Sequence, residues 1–326
     1  MLPAFLVVLC LASLASAAVD GTVTNGTTGK PQPGATVTLY KLSQQSGLES
    51  VESVKADAAG KFRIDQNLKG PRLLQSAYDG VTYNHMLPPG APETGVALEV
   101  YNSTKQPGGA KVMQHMLILE PGGSELAVSE GFIWLNTGKT TFQDLDAGTL
   151  RFYAPPRAKG IQVNATAPQG MPIRTAPAAT GQPDVYKIVF PIKPGETNIQ
   201  LNYTLPFTSP GTFEGKVFYK GGPTSVIVPQ GVSLKGEGLE SRGQEPRTKA
   251  SIYQTTQTAF KVEIEGAGEL KRGEPAESEQ SGPQIQFVLP KLYDKLYWVL
   301  ALSFSILLLG FVLLYRAGQT SSLKKK

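Results

Sequence analysis

The two histidines of this 326-residue chain each sit beside methionine: His85 and Met86 in YNHMLPPG, and Met113, His115 and Met116 in KVMQHMLILEP. Imidazole and thioether together form the ligand set that suits Cu(I). His85, Met86, Met113, His115 and Met116 are therefore the candidate metal ligands. Regular strand alternation over 112–119 puts Met113, His115, Leu117 and Leu119 on one face and Val112, Gln114, Met116 and Ile118 on the other. That geometry separates His115 from Met116. It favours the competing reading, in which Met113, Met116 and one histidine fill a β core or the domain junction, a common use of Met.

Other chemistry is sparse. With two histidines so placed there is no His-x-x-x-His or His-Glu-x-x-His pair, and no Gly-x-Ser-x-Gly elbow occurs. A Ser/His/Asp-type relay would have to use one of the two rings. The TGKTT stretch at 137–141 invites a nucleotide-binding reading, but a P-loop needs Gly where this chain has Ile133, and a strand opening into a helix. Asn136-Thr137-Gly138 is read instead as a hairpin turn. Glu120, Glu125 and Glu130 are scattered carboxylates whose meeting only a fold could reveal. The single cysteine, Cys10, lies in the first apolar segment, so the processed chain would have no disulfide and no Cys-based zinc site. The expectation is a protein without cofactor and without catalysis.

The elements that carry these residues read as strands. Residues 19–64 alternate at Val19, Gly21 and Val23, turn through Gly29, Pro31 and Gly34, alternate again at Ala35, Val37 and Leu39, and turn at Asp57 to Gly60 into Phe62 and Ile64. The order G-x-V, G-x-P-x-x-G-A-x-V-x-L, D-x-x-G-x-F-x-I resembles the carboxypeptidase regulatory-like (transthyretin-related, prealbumin-like) domain family. The resemblance covers roughly 19–100, where Tyr78, Val81, Val96, Leu98 and Val100 mark the remaining strands. It implies a small β-sandwich serving as spacer, adhesion or binding module, with no catalytic residues. Related folds sometimes bind carbohydrate, but 19–100 holds no Trp to make a sugar platform.

From about 105 to 265 further strand candidates follow, separated by Pro and Gly clusters: 112–119, 126–135, 149–153, 160–165, 185–190, 197–205, 215–219, 225–228 and 259–264. Trp134, alternating with Phe132 and Asn136, reads as core. The expected fold class is mainly β, with two tandem antiparallel β-sandwich domains at 18–104 and 105–265, then a stalk and one C-terminal transmembrane helix.

The ends set the expected location. Residues 2–14 are almost all apolar and Ala15-Ser16-Ala17 offers a small-x-small site, so 1–17 reads as a signal peptide despite lacking an early Lys or Arg. Residues 266–295 begin polar and charged and read as a juxtamembrane stalk. The uncharged run at 296–315 is long enough, at 1.5 Å per residue, to cross a core of about 30 Å. Arg316 and Lys324 to Lys326 make 316–326 a basic cytoplasmic tail. Those four cations account for most of the net charge of +5, so basicity is a topology signal and does not point to nucleic acid. Asn25, Asn102, Asn164 and Asn202 stand in N-x-[ST] sequons, which read as chance matches in a bacterial protein. The functional expectation is a non-enzymatic single-pass membrane protein that displays its β-domains outside the cytoplasm. It would serve protein–protein interaction, adhesion or an accessory role in a membrane complex. Its expected partners are the lipid bilayer, through the C-terminal helix, and an extracytoplasmic protein; the alternative is a ligand-binding module for copper(I) or carbohydrate.

Overall fold

The structure is a computed structural model. It describes residues 18–43, 47–66, 68, 70–219, 221–270 and 307–308. The expected signal peptide, most of the stalk and nearly all of the 296–315 run lie outside the described residues. Among the described residues no helix is long and apolar enough to cross a membrane. The chain divides into two units, Met1–Arg272 and Gly273–Lys326; the first is mainly β.

The alternation read from 19–100 becomes two sheets over one core. In the first sheet Val19–Asn25 is central, with Lys61–Ile64 antiparallel on one side (Gly21 opposite Phe62) and Val96–Val100 parallel on the other (Val23 opposite Leu98). The second sheet runs Gly47–Lys55, Thr36–Ser43, Arg72–Tyr78, Val81–Leu87, all antiparallel. Val19, Val23, Val37, Leu39, Phe62, Ile64, Leu74 and Leu98 meet between them. The glycine motif has a steric cause. A Cβ on Gly21 would lie 2.0 Å from the Val96 carbonyl oxygen, and Gly60 combines φ +74° with a Cβ position 2.5 Å from the Val23 oxygen. The sandwich is not wholly antiparallel: between its first and last strands the chain crosses twice into the other sheet and back, and Val96–Val100 runs in the same direction as Val19–Asn25.

Beyond residue 105 the plan departs from one sandwich over one core. An eight-stranded sheet has the order Ile173–Thr175, Lys159–Thr166, Gly195–Pro206, Glu125–Asn136, Ala110–Gly122, Thr224–Val228, Ser251–Thr255, Glu240–Gln244. Its middle strands run to 12 or 13 residues, about 40 Å at the usual rise per residue. That length accommodates two cores. Val112, Phe132, Trp134, Phe152, Ile188 and Leu201 belong to one, which includes residues of the small sheet of Leu150–Tyr153, Val185–Ile188 and Ala178–Ala179. Leu119, Val128, Tyr203, Phe213, Val226 and Val262 belong to the other, with the sheet of Gly211–Lys216, Ala259–Glu265 and Ser233–Lys235. Trp134 is core, as read.

The two parts are joined by buried polar contacts. Thr141 and Phe142 pair in parallel with Ser103 and Thr104. The Tyr83 hydroxyl lies 2.8 Å from Thr141 Oγ1 and donates to the Tyr101 carbonyl at 3.0 Å, while Thr141 N–H donates to the Asn102 carbonyl at 2.9 Å. Residues 137–140 are therefore not a turn between paired neighbours. Asn136 Oδ1 accepts from Gly138 N–H and its Nδ2 donates to the Thr140 carbonyl, carrying the chain onto the first sandwich. Asn25 is 2% exposed and its amide donates to Gln32 and Asn102, so this sequon asparagine is a brace of the joint.

Candidate functional site

The two His-Met segments sit in different surroundings. In Ala110–Gly122 the pairing slips by one residue between Val112 and Gln114. This β-bulge puts Val112 and His115 on the same inward face and leaves Met113 outside, 49% exposed. Regular alternation had grouped Met113 with His115. Met116 falls on the opposite face from His115, as alternation predicts, and is half-buried. His85, in Val81–Leu87, is half-buried beside Met86, which is 39% exposed. His85 lines a cleft that none of Met113, His115 or Met116 lines.

His115 is 3% exposed and both ring nitrogens are engaged: Nδ1 lies 2.9 Å from Thr224 Oγ1 and Nε2 lies 2.7 Å from Glu130 Oε1. The ring stacks on Phe132 at 4.3 Å and meets the edge of Tyr219 at 5.6 Å. A metal at His115 would have to displace a protein partner. Hydroxyl, imidazole and carboxylate in series are the order of a nucleophile relay, yet Thr224 is 2% exposed and Glu130 7%. Sealed in this way, the series cross-braces three adjacent strands, with His115 opposite Phe132 on one side and Thr224 on the other.

The brace lies where the two cores of the long sheet meet. Phe132 and Leu201 belong to one core and Val128 and Tyr203 to the other. The Tyr203 hydroxyl is buried and has no hydrogen-bond partner among the described residues. Burial first, and the Glu130 charge second, push it well above the usual phenol range. The Tyr219 hydroxyl lies toward Thr224 outside hydrogen-bond geometry and is likewise raised, burial being the main cause. Glu130 had a signal in the sequence: it takes an inward position in the series Leu126, Val128, Glu130, Phe132, Trp134, where a lone charge among apolar residues marks a buried partner. Thr224 had none.

The remaining carboxylates separate from it. Glu120 and Glu125 line a surface cleft of about 590 Å³ with Glu269 and Leu270, and Glu120 Oε1 accepts the Leu270 N–H at 2.7 Å. No group of three or more His, Cys, Asp or Glu side chains is placed to hold a metal ion among the described residues.

The cleft that contains His85 combines more chemistry. It encloses about 340 Å³ between the first sandwich and the 168–169 and 193–194 segments. Val81–Leu87 and Val96–Val100, each the edge of its own sheet, supply Asn84, His85 and Glu99; Lys193 and Gln169 face them. Glu99 Oε2 accepts the Tyr101 hydroxyl at 2.6 Å. Lys193 Nζ donates to the Thr82 carbonyl and lies 4.9 Å from the Tyr83 ring centroid. Burial of the ammonium lowers its pKa to about 8. The sequence offers no sign that Lys193 and His85, 108 positions apart, share a cavity.

No protein-family model matches the chain, and no curated protein matches it. Among solved structures, an M1 zinc metallopeptidase from Deinococcus radiodurans is similar at 15% identity and a TM-score of 0.27, over 48% of this chain and 42% of that one. A two-domain M1 zinc metallopeptidase bound to L-tryptophan is similar at 15% identity and a TM-score of 0.28, over 48% and 43%. The chain spans less than half the length of these structures, and a likeness this slight assigns neither fold nor activity.

Proposed function

We propose that the chain is a non-enzymatic, membrane-anchored display protein whose β-body stands outside the cytoplasm, held by the 296–315 run, and presents its surface to a protein partner. The single observation that carries this reading is the buried joint of Tyr83, Tyr101, Asn102 and Thr141. A hydrogen-bonded joint of this kind presents the two β-parts as one firm surface, which suits an interaction module or an accessory subunit. His115, a candidate ligand in the sequence, is held by Thr224 and Glu130 and acts as an internal brace. At the far end, the Gly268 N–H donates to the Pro121 carbonyl and the Leu270 N–H to Glu120, so the first residues of the expected stalk are tied to the body. The resemblance of 19–100 to carboxypeptidase regulatory-like modules is in keeping with this role.

Protease treatment of spheroplasts expressing the chain with a C-terminal tag tests the reading. The expected result is loss of the β-body and survival of a tagged, membrane-bound fragment. A body that resists until the membrane is opened, or a tag removed from outside, would overturn it.

A further inference from the structure

The lysine of the joint cleft has neither the full solvation of the exposed unpaired lysines nor the carboxylate of the paired ones. Lys105, Lys235 and Lys261 are exposed and Lys41 half-exposed, and each has a carboxylate within ion-pair distance. Lys193 is half-buried and, among the described residues, has no such partner. Burying an ammonium costs free energy unless an anion or several acceptors compensate. Among the described residues Lys193 makes one hydrogen bond, to the Thr82 carbonyl, and one contact with the Tyr83 ring. An ammonium has three donors, so two are left for a ligand.

Glu99 lines the same cleft, and among the described ion pairs none joins it to Lys193. A cation and a carboxylate thus share one cavity and do not neutralise each other. Asn84, His85 and Gln169 add hydrogen-bonding groups, and Tyr101 orients Glu99. The cavity, about 340 Å³, falls at the small end of the range for ligand sites, which favour junctions between domains.

We propose that this cleft binds a small organic carboxylate that also carries hydroxyl or ammonium donors, with the ligand carboxylate on Lys193 and its donors on Glu99. An acidic sugar and a free amino acid share this chemistry. The site does not depend on the chain being membrane-anchored.

Isothermal titration calorimetry of the full chain in detergent micelles at pH 7 tests the proposal with D-glucuronate, L-threonine and D-glucose. Saturable one-to-one binding of glucuronate or threonine, and none of glucose, is expected; which acid binds identifies the source. Lys193→Met removes a charge-assisted hydrogen bond and should weaken binding by about ten- to a hundredfold, while Lys193→Arg, which keeps the charge, should retain most of it. Binding should also weaken as pH rises through about 8, where Lys193 loses its proton; His85, Glu99, Tyr83 and Tyr101 are the other titratable groups lining the cleft. Circular dichroism of each variant checks folding. Absence of saturable heat with both acids, equal binding of glucose, or unchanged affinity in a folded Lys193→Met chain would overturn the proposal.

Discussion

Replacing Glu130 with leucine would remove one partner from a contact that spans 2.7 Å to His115 Nε2 in a site where Glu130 is 7% and His115 3% exposed. The two costs in this contact are of comparable size. A hydrogen bond accepted by a buried carboxylate contributes about 1.5–3 kcal/mol, while desolvating the carboxylate costs several kcal/mol. The intact pair is therefore worth little net, yet breaking it leaves a polar ring nitrogen buried with nothing to bond. Glu130→Leu should destabilise the chain by about 1.5–3 kcal/mol. At 2–4 °C per kcal/mol for a body of this size, the melting temperature should fall by about 3–12 °C. The double variant His115→Leu/Glu130→Leu removes both groups and should recover a large part of the loss, leaving only Thr224 Oγ1 without its imidazole. Thermal melts of the purified wild type, the two single variants and the double variant complete a cycle that isolates the coupling. A double variant as unstable as the sum of the singles, or a Glu130→Leu chain within 1 kcal/mol of wild type, would refute the brace.

Gly21→Ala should cost about 3 kcal/mol or more, seen as a lower urea midpoint, because the new Cβ would meet the Val96 oxygen at 2.0 Å and the Phe62 ring at 2.9 Å. Tyr83→Phe removes the hydroxyl that meets Thr141 and the Tyr101 carbonyl. It should destabilise by about 1–3 kcal/mol and speed hydrogen exchange at the Thr141 and Phe142 amides. Lys193 has a folded pKa, about 8, below its ordinary value of 10.5. Between those two pH values the unfolded chain binds more protons than the folded one, so this residue makes stability rise with pH across that window and imposes its full penalty below it. Lys193→Met should flatten that rise in denaturant titrations at successive pH values. Glu245 is held at about 2 by hydrogen bonds from the Thr248 hydroxyl and from the Thr248 and Arg247 amides. Its contribution to the turn before Ser251–Thr255 is present above the ordinary carboxylate pKa and is lost as pH falls toward 2; an NMR titration of the Thr248 amide should show that step, and Glu245→Gln should abolish it.

Much of the first sandwich is legible in one dimension. The alternation of Val19, Gly21 and Val23, the turn at Asp57 to Gly60 and the set Val96, Leu98, Val100 are local patterns, and a period of two forces their apolar members to one side of a sheet. The glycines at 21 and 60 are written where backbone and ring approach too closely for any side chain. The mainly β class follows from the same repetition along the rest of the chain.

The site chemistry is another matter. Alternation along a single strand cannot reveal a bulge, because the extra residue is defined by pairing with Glu125–Asn136; that slip at Met113 separates Met113 from His115. The Thr224–His115–Glu130 brace joins positions up to 109 apart, and its burial comes from the merging of two cores on one long sheet. Lys193 differs from the paired surface lysines because the docking of the two β-parts removes its solvent and brings the Thr82 carbonyl to it. Residue types and their local spacing determined the strands, their inward faces and the tight glycines. Which polar groups are desolvated, and against what, was decided only by tertiary structure, since desolvation is set by neighbours in space that the order of the chain does not record.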